Sequence, residues 1–215
     1  MRLKEKARPT AEKAVIFDIE SVLVDAELLP LLARLVDKED IVYRITMKGI
    51  RGEIEWEEGL RQRIEAIRGI RYEDALRVAD AMPYMGGARE VCRELKGRGY
   101  ALIGVTGGFA ILADRVKREL GLNHVFSNEL VFDEGLLSGV KRLRVTSKEV
   151  VGLEGVLRRI GAKKENIVVV VDGANDMKLF EYAGTRIAFN AQWVVKQRAD
   201  VIINTKDLRD ILKYI

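Results

Sequence analysis

The pattern of apolar and polar positions changes twice along the chain. "AVIFD", from Ala14 to Asp18, is a short apolar run that ends in an acid, as expected of a buried parallel strand. From about Glu27 to Met82 the apolar residues recur at helical spacing in four segments, with acids near their starts and cations later. From Gly86 onward, strand patterns and helical patterns alternate. The pattern therefore predicts a helical block inserted between two strand-bearing regions.

The alternating region predicts a parallel sheet. Its strand patterns are "YALIGVTGG", "NIVVVVD", "TRIAF" and "DVIIN", and "ELVFDEGLLSGV" predicts a hairpin around Glu134-Gly135. The later helical patterns are "SKEVVGLEGVLRRIG", "NDMKLFEYAG", "AQWVVKQRA" and "KDLRDILKYI". Strands that alternate with helices form a sheet covered on both faces, with its ligand site at the carboxyl ends of the strands. We therefore predict an α/β fold with a doubly wound, Rossmann-like parallel sheet.

Composition narrows the class of protein. The 215 residues are 48% hydrophobic and 33% charged, which is typical of a soluble globular chain. The net charge of +4 is concentrated at the start, since residues 1–13 carry five cations and two acids, and we expect a mobile basic tail there. No basic stripe with interleaved aromatics follows, so we expect no nucleic-acid partner. Without an apolar run of membrane-spanning length or a secretory h-region, we expect a cytoplasmic protein with no membrane partner.

Cysteine and histidine contribute little chemistry. Cys92 is the single cysteine, which excludes an internal disulfide and a cysteine-built metal site. It lies on a helical pattern, where it is expected to pack as a small apolar residue. His124 is also alone, with no serine or cysteine constellation around it. The chemistry must therefore come from other residue types.

Polar residues follow three of the predicted strands. Asp18 and Glu20 end the first strand, Thr106 with Gly107-Gly108 follows "ALIGV", and Asp172 follows "IVVVV". Lys148 opens the predicted helix just upstream of that last strand. Acids, a hydroxyl beside two glycines and a lysine at one sheet edge indicate a site for a divalent cation and a phosphoryl group.

Each residue type suits one part of phosphoryl chemistry. Mg²⁺ binds few carboxylates and keeps its other positions for water and phosphate, so Asp18 and Asp172 could supply two of its ligands. Glycines at a strand-to-helix turn let backbone N–H groups approach phosphate oxygens, while Thr106 adds a hydroxyl and Lys148 a point charge. One carboxylate can attack phosphorus and form an aspartyl-phosphate. A second acid can protonate the leaving alcohol and then activate water.

At this point the chain resembles a known family. "FDIESVLVD", "GVTGGF", Lys148 and "VDGAND" occur in the order and setting of the haloacid dehalogenase superfamily, and more narrowly of its phosphoserine phosphatase branch. The resemblance covers essentially everything from Ala14 to Ile215. It implies a core domain formed by residues 14–22 and 83–215, with a small helical cap domain inserted at residues 23–82.

The resemblance also implies roles for the motif residues. Asp18 would be the nucleophile and a Mg²⁺ ligand, and Glu20 the acid/base, with its backbone carbonyl on the metal. The phosphate would be bound by four residues: Thr106, Gly107, Lys148 and Asn175. Asp172 and Asp176 would complete the metal site.

In the cap, the resemblance points to an amino-acid substrate. Glu27 would face its ammonium group, Arg63 would bind its carboxylate, and Trp56 would line the pocket. The implied reaction is Mg²⁺-dependent hydrolysis of O-phospho-L-serine. The partner is then a small phosphate ester, and the oligomeric state stays open, a homodimer included.

Each assignment has an ordinary structural alternative. The acids could occupy turn or helix N-terminal positions: Asp18, Asp172 and Asp176. Thr106 and Gly107 could simply form a tight turn, and Lys148 could be a solvated lysine at a helix end. Arg63 could pair with Glu57 or Glu58 on its own helix.

Glu27 could be a first-turn acid favoured by the helix dipole, and Trp56 could belong to the core of the cap.

Three positions depart from the family pattern Asp-x-Asp-x-Thr and the glycine before "DGAND". Glu20 replaces the second aspartate, Val22 the threonine and Val171 the glycine. Glutamate reaches roughly 1.5 Å further than aspartate, which could cost about 100-fold in rate, and Val171 could crowd the strand end. Two alternatives therefore stand beside hydrolysis of phosphoserine. One is a weakened or inactive relative that binds a phosphorylated ligand or partner protein, and the other is a phosphatase for another small substrate.

Overall fold

A computed structural model describes residues 12–51 and 53–215. Within them the chain forms one six-stranded sheet and one two-stranded sheet with helices around them. The predicted mobile tail lies outside the described residues except for Glu12 and Lys13, and Lys13 is already the first residue of the first strand.

The strands of the six-stranded sheet are all parallel, with the order β3-β2-β1-β6-β7-β8. Their bounds and those of the hairpin strands are β1 Lys13–Asp18, β2 Tyr100–Phe109, β3 His124–Asn128, β4 Leu130–Asp133, β5 Leu136–Val140, β6 Ile167–Val171, β7 Thr185–Phe189 and β8 Val201–Ile203. Strands β4 and β5 pair antiparallel, as predicted, and Glu134 and Gly135 take positive φ angles in their turn. The predicted α/β fold is confirmed.

Eight α-helices lie within the described residues, and three 3₁₀ segments accompany them. The helices are α1 Leu28–Arg34, α2 Glu39–Ile50, α3 Trp56–Ala66, α4 Tyr72–Ala81, α5 Ala88–Gly97, α6 Ala110–Leu120, α7 Leu153–Ile160 and α8 Trp193–Lys196. The 3₁₀ segments are Lys164–Asn166, Ala174–Tyr182 and Leu208–Lys213. The last two replace the α-helices predicted from "NDMKLFEYAG" and "KDLRDILKYI".

Side-chain alternation along the central strands separates two cores. Val15 and Phe17 of β1 point into the larger apolar cluster, which also contains residues of α1, α3 and α5. Ala14 and Ile16 point to the other face, into a cluster with α7 and β6. Because successive strand residues point to opposite faces, one short apolar run supplies both layers, which is why "AVIFD" lacks polar alternation.

The inserted helices leave and rejoin the core at one place. The Met85 N–H donates to the Leu23 carbonyl at 2.9 Å, and the Asp25 N–H donates to the Pro83 carbonyl at 2.9 Å. The buried Arg115 of α6 then donates to the carbonyls of Ala79 and Met82, at the end of α4. We propose that residues 23–82 form a cap, because both of its linkers are hydrogen-bonded side by side at the edge of the core.

The β4–β5 hairpin supports this cap from the core side. The Gly69 N–H donates to the Leu137 carbonyl, and the Leu137 N–H donates to the Ile70 carbonyl, each at 2.8 Å. The ring of Tyr72 packs edge-on against Phe132 with their centroids 5.1 Å apart. The connection between α3 and α4 is therefore held by backbone hydrogen bonds as well as by apolar contact.

The predicted helix "SKEVVGLEGVLRRIG" is wrong in its first half, which changes the setting of Lys148. Helix α7 begins only at Leu153, because Gly152 takes a φ of 95° that a right-handed helix does not allow. Upstream, Val145 and Val150 form an antiparallel bridge, and Thr146 Oγ1 accepts the N–H groups of Lys148 and Glu149. Lys148 thus lies in a tight turn and does not open a helix.

Among the described residues, no helix combines the length and the apolar character needed to cross a bilayer.

Cys92 provides a test of the packing around α5. Its side chain is buried, and burial raises the pKa of the thiol to about 12. We expect a thiol-specific reagent at pH 8 to react with the native protein at least about 100-fold more slowly than with the protein in denaturant, because thiolate is scarce and access is blocked. Reaction of the native protein at the unfolded rate would show that α5 is not packed as described.

Candidate functional site

The carboxyl ends of three neighbouring strands meet at a cavity of about 260 Å³. Asp18 ends β1, Thr106 lies near the end of β2, and Asp172 follows β6. Since β2 and β6 flank β1 in the sheet, their ends bring these three side chains to the same wall of the cavity. Helices α1, α2 and α3 of the inserted block form the opposite wall.

Asp18 and Asp172 are in direct contact. Their carboxyl groups are hydrogen-bonding neighbours, and Asp18 Oδ1 also accepts the Ile19 N–H at 2.6 Å. Burial, then the charges of Asp176 and Asp172, raise the pKa of Asp18 well above its usual range. Burial also raises the pKa of Asp172 to about 7. Repulsion from neighbouring acids therefore adds to the effect of burial on the pKa of Asp18.

Asp176 is the third aspartate of this cluster and is held by two neighbours. Its Oδ2 accepts the Asn175 side-chain amide, and its Oδ1 is 3.4 Å from Lys178 Nζ. The Asp176 side chain is fully buried and within hydrogen-bonding reach of Asp18. Burial raises the pKa of Asp176, and the charge of Lys178 opposes that rise.

Glu20 turns its longer side chain back over the strand end. Its Oε1 accepts the Leu28 N–H at 2.6 Å, at the first turn of α1, and its Oε2 accepts the Thr106 hydroxyl at 3.1 Å. Burial, then the charge of Glu27, raise the pKa of Glu20 to about 8, against the opposing effect of these two hydrogen bonds. Glu20 is therefore mostly protonated at neutral pH.

Two glycines make room for this arrangement. A Cβ on Gly107 would lie 2.5 Å from the Trp56 ring, and a Cβ on Gly108 would lie 2.1 Å from Glu20 Oε2. The Gly108 N–H donates to Thr106 Oγ1 at 2.8 Å, so this hydroxyl joins the glycine turn to Glu20. The glycines thus admit the Trp56 ring and the Glu20 carboxyl, a reason that the sequence pattern did not reveal.

Glu27 and Arg63 both line the cavity from the cap side. Glu27 Oε1 accepts the Ser21 hydroxyl at 2.6 Å, and Glu27 forms no hydrogen bond that caps α1. Burial raises the pKa of Glu27, while burial lowers that of Arg63 against the opposing charges of Glu27 and Glu20. An acid and a guanidinium thus face the cavity together.

The alternative pairing of Arg63 within its own helix is not observed in the described part of the chain. Glu58 accepts the Gln62 side-chain amide, and Glu57 accepts the backbone N–H and hydroxyl of Ser147 at 2.8 and 2.9 Å. Arg63 instead donates from Nε to the Gly59 carbonyl at 3.2 Å. Its guanidinium is therefore turned towards the cavity.

The cap also supplies an apolar rim to the cavity. The residues of this rim are Leu29, Pro30, Ile45, Ile50, Trp56 and Leu60. Trp56 is half-buried and packs against the larger core cluster as well as against Gly107, so its role as cap core and its role as pocket lining are both realised.

Lys148 is the predicted site residue that the cavity does not include. Its side chain is exposed in the Thr146–Glu149 turn, beside the Glu57–Ser147 contact and outside the cavity lining. The remaining predicted site residues all line the cavity: Asp18, Glu20, Glu27, Trp56, Arg63, Thr106, Gly107, Asp172, Asn175 and Asp176.

Val22 and Val171, two of the three positions that depart from the family pattern, are buried and do not line the cavity. Val171 packs on the face of β6 that meets α7, and Val22 lies in the larger core cluster. Val171 therefore does not crowd the cavity, because its side chain points to the other face of the sheet.

Asn128 is a structural centre that the sequence did not reveal. Its buried Nδ2 donates to the carbonyls of Gly107 and Val145, at 3.0 and 2.9 Å. Its Oδ1 accepts the N–H groups of Arg144 and Val145. Asn128 thus ties the glycine turn to the loop before α7. Asn128 ends β3, which the sequence analysis did not predict, so the residue was not recognised as lying at a strand end.

A further cavity residue that the sequence did not reveal is Gln192. It lines the cavity, and its side-chain oxygen accepts the Ala174 N–H at 3.3 Å.

The donor set suits Mg²⁺ better than a metal bound by protein alone. In residues 12–51 and 53–215, no group of three or more His, Cys, Asp or Glu side chains forms a ready-made metal site. Mg²⁺ usually takes one or two carboxylates and completes its octahedron with water and phosphate. Asp18 is buried, Asp172 is half-buried and within hydrogen-bonding reach of it, and the two offer such a pair of oxygen donors.

Comparisons with known proteins relate this chain to one family. A family model described as haloacid dehalogenase-like hydrolase matches residues 12–184. Phosphoserine phosphatase of Methanocaldococcus jannaschii is 36% identical over 206 residues, covering 95% of this chain and 98% of its own. That of Wolinella succinogenes is 33% identical, covering 94% and 100%. A solved structure of a phospho-aspartyl intermediate analogue of phosphoserine phosphatase superposes with a TM-score of 0.87, at 35% identity, covering 95% of this chain and 99% of its own.

The close approach of Gly108 to Glu20 gives a test of the site geometry. We expect Gly108→Ala to lower the free energy of unfolding by about 1–3 kcal/mol, because the new Cβ displaces the half-buried Glu20 carboxyl from its hydrogen bonds. The matched control is Gly155→Ala in α7, where a Cβ meets nothing within 4 Å. That change should raise the free energy of unfolding by about 0.5–1 kcal/mol. Urea denaturation measures both, and equal effects would contradict the described contact.

Proposed function

The chain belongs to the haloacid dehalogenase-like hydrolase family, and from this premise we propose that it is a Mg²⁺-dependent phosphomonoesterase that converts O-phosphoserine to serine and phosphate. The observation that carries the proposal is the contact between Asp18 and Asp172 at the strand ends, opposite a cap wall that presents Glu27 and Arg63. The first pair suits phosphoryl transfer, and the second suits an amino-acid substrate.

Mg²⁺ would be held by the carboxylates of Asp18 and Asp172 and the backbone carbonyl of Glu20, with Asp176 supporting them. Bound there, the ion would supply the positive charge that favours the ionised form of Asp18 and offsets the charge of the phosphoryl oxygens. The raised pKa values of Asp18 and Asp172 support this assignment, because they show that the ionised carboxylates are unfavourable here without a nearby cation.

In the first step an Asp18 carboxylate oxygen attacks phosphorus. The bond between phosphorus and the serine oxygen breaks, and that oxygen takes a proton from Glu20, so serine leaves neutral at its hydroxyl. Glu20 suits this step because its pKa of about 8 keeps a proton on it at neutral pH. Its contact with Thr106 holds it beside the phosphate-binding turn.

In the second step the aspartyl-phosphate is hydrolysed. Glu20, now ionised, takes a proton from a water molecule, whose oxygen attacks phosphorus. The bond between phosphorus and Asp18 breaks, which releases phosphate and returns Asp18 to its carboxylate. Glu20 recovers its proton in the same step, so it is ready for another cycle.

We assign phosphate binding to Thr106, Gly107 and Asn175. Thr106 offers a hydroxyl, Gly107 a backbone without a side chain in the way, and Asn175 an amide at the turn after Asp172. Asn128 supports this turn by holding the Gly107 carbonyl.

We assign substrate recognition to Glu27 and Arg63. Glu27 would accept the ammonium group of serine, and Arg63 would bind its carboxylate with two parallel hydrogen bonds. A cavity of about 260 Å³ has room for a small phosphate ester. Closure of the cap would bring these residues over the strand ends and exclude water. The contacts of Trp56 with Gly107 and of Glu57 with Ser147 join the two walls in this structure.

The proposed nucleophile can be tested directly. With Mg²⁺ and O-phosphoserine we expect release of inorganic phosphate, which EDTA abolishes and added Mg²⁺ restores. Asp18→Asn should lower this rate at least about 1,000-fold, because the amide cannot form the aspartyl-phosphate. The matched control Asp114→Asn, on the exposed face of α6, should keep wild-type activity.

Phosphate release that survives Asp18→Asn would contradict the mechanism. No release from phosphoserine, with release from other small phosphate esters, would point to a different substrate. No release from any ester would favour a relative that binds phosphorylated ligands without turnover.

The proposed acid/base can be separated from the nucleophile through the leaving group. Glu20→Gln keeps the shape and the hydrogen-bond acceptor for Leu28 but has no proton to exchange. With phosphoserine, a poor leaving group, we expect a loss of about 100-fold to 10,000-fold in kcat. With p-nitrophenyl phosphate, whose leaving group needs no proton, we expect a rapid burst of one p-nitrophenolate per enzyme followed by slow turnover. Equal losses on both substrates without a burst would exclude this role.

A further inference from the structure

The cavity holds more acid than base. Its lining contains five carboxyl groups, from Asp18, Glu20, Glu27, Asp172 and Asp176. The Arg63 guanidinium faces two of them, Glu27 and Glu20, across the cap side. The three aspartates at the strand ends therefore need a different positive charge.

Lys178 supplies a charge at this position. It lies in the 3₁₀ segment Ala174–Tyr182, and its side chain is only 10% exposed. Its Nζ donates to the Asn175 carbonyl at 2.6 Å and lies 3.4 Å from Asp176 Oδ1. Within the described residues it is the one lysine that forms an ion pair with a cavity aspartate.

The position of Lys178 explains how Asp176 is oriented. Asp176 Oδ1 faces Lys178 and Asp176 Oδ2 faces the Asn175 amide, so both oxygens have partners from the same short segment. Held in this way, Asp176 reaches Asp18. The ammonium therefore acts on Asp18 through Asp176 and does not itself line the cavity.

We propose that Lys178 is a positioning residue that serves as the built-in counter-ion of the three aspartates and shares Asp176 with the bound Mg²⁺. The proposal rests on the proposed function for the identity of the ion. It assigns the ammonium charge beside the aspartates to Lys178, whereas Lys148 is exposed and away from them.

Removal of the Lys178 charge should therefore change Mg²⁺ affinity and reaction rate in opposite directions. Lys178 and Mg²⁺ are both cations close to Asp176, so removal of the ammonium should strengthen Mg²⁺ binding. The same removal should slow the reaction, because Asp176 is then free to turn towards the metal and no longer orients Asp18. Loss of packing alone would weaken or leave unchanged the binding of Mg²⁺.

The first experiment measures Mg²⁺ binding by isothermal titration calorimetry in the absence of substrate. Lys178→Met and Lys178→Gln both remove the charge, and Gln keeps a donor for the Asn175 carbonyl. We expect each to lower the Kd for Mg²⁺ at least about threefold. The matched control is Lys213→Met, which removes an exposed lysine that pairs with Asp210 in another 3₁₀ segment and should leave the Kd unchanged.

The second experiment measures turnover of O-phosphoserine by the same variants at saturating Mg²⁺. Both Lys178 variants should lose at least about tenfold in kcat, with KM changed by less than about threefold, because Glu27 and Arg63 are untouched. Lys213→Met should retain wild-type kinetics.

Unchanged or weaker Mg²⁺ binding in a folded Lys178 variant would overturn the proposal, and so would wild-type kcat. Circular dichroism establishes folding, and a variant that fails to fold is replaced by the other. If no ester is hydrolysed by the wild-type protein, the proposed function fails, while the calorimetric result still decides the role of Lys178.

Discussion

Repulsion among buried carboxyl groups is the constraint on which the rest of this site depends. Asp18, Asp172 and Asp176 lie where three strand ends meet, and burial raises the pKa of each. Such a cluster is stable only if protons, fixed cations or a bound metal offset its charge. Lys178 pairs with Asp176 on the core side, while Arg63 on the opposite wall faces Glu27 and Glu20. The same unfavourable electrostatics among these acids favour a cation, and with it the oxygens of a phosphate.

The fold makes this concentration of charge possible. Strand β1 lies in the middle of the sheet, so its end is flanked by β2 and β6 and covered by apolar layers on both faces. These layers supply rigidity, because close-packed protein interiors deform little. Around the acids, Gly107 and Gly108 let Trp56 and Glu20 approach the backbone, and Asn128 fixes the turn from behind. The acids are thus held by a frame that is itself apolar.

Local pattern predicted the frame and the site residues at the strand ends, whereas Glu27, Trp56 and Arg63 were expected only from the family resemblance. The buried run before Asp18 and the alternation after Gly86 define the parallel sheet, and parallel strands bring their carboxyl ends together. Lys148 illustrates the limit. Helical spacing hid the break at Gly152, whose positive φ depends on tertiary packing. Lys178 and Asn128 were missed for a related reason: their importance comes from contacts across the fold, and neither stands at a strand end that was predicted.

The hydrogen bond from the Leu28 N–H to Glu20 links proton chemistry to mechanics. Leu28 begins α1, the first helix of the proposed cap, so the proposed acid also holds the start of that helix. Thermodynamic reciprocity requires that if ionisation of Glu20 tightens its hold on this helix, displacement of the helix must in turn raise the proton affinity of Glu20. Movement of α1 away from Glu20 would favour the protonated carboxyl, and its return would favour loss of the proton. The longer side chain of glutamate, which reaches the Leu28 N–H, would then couple the ionisation of Glu20 to the position of α1.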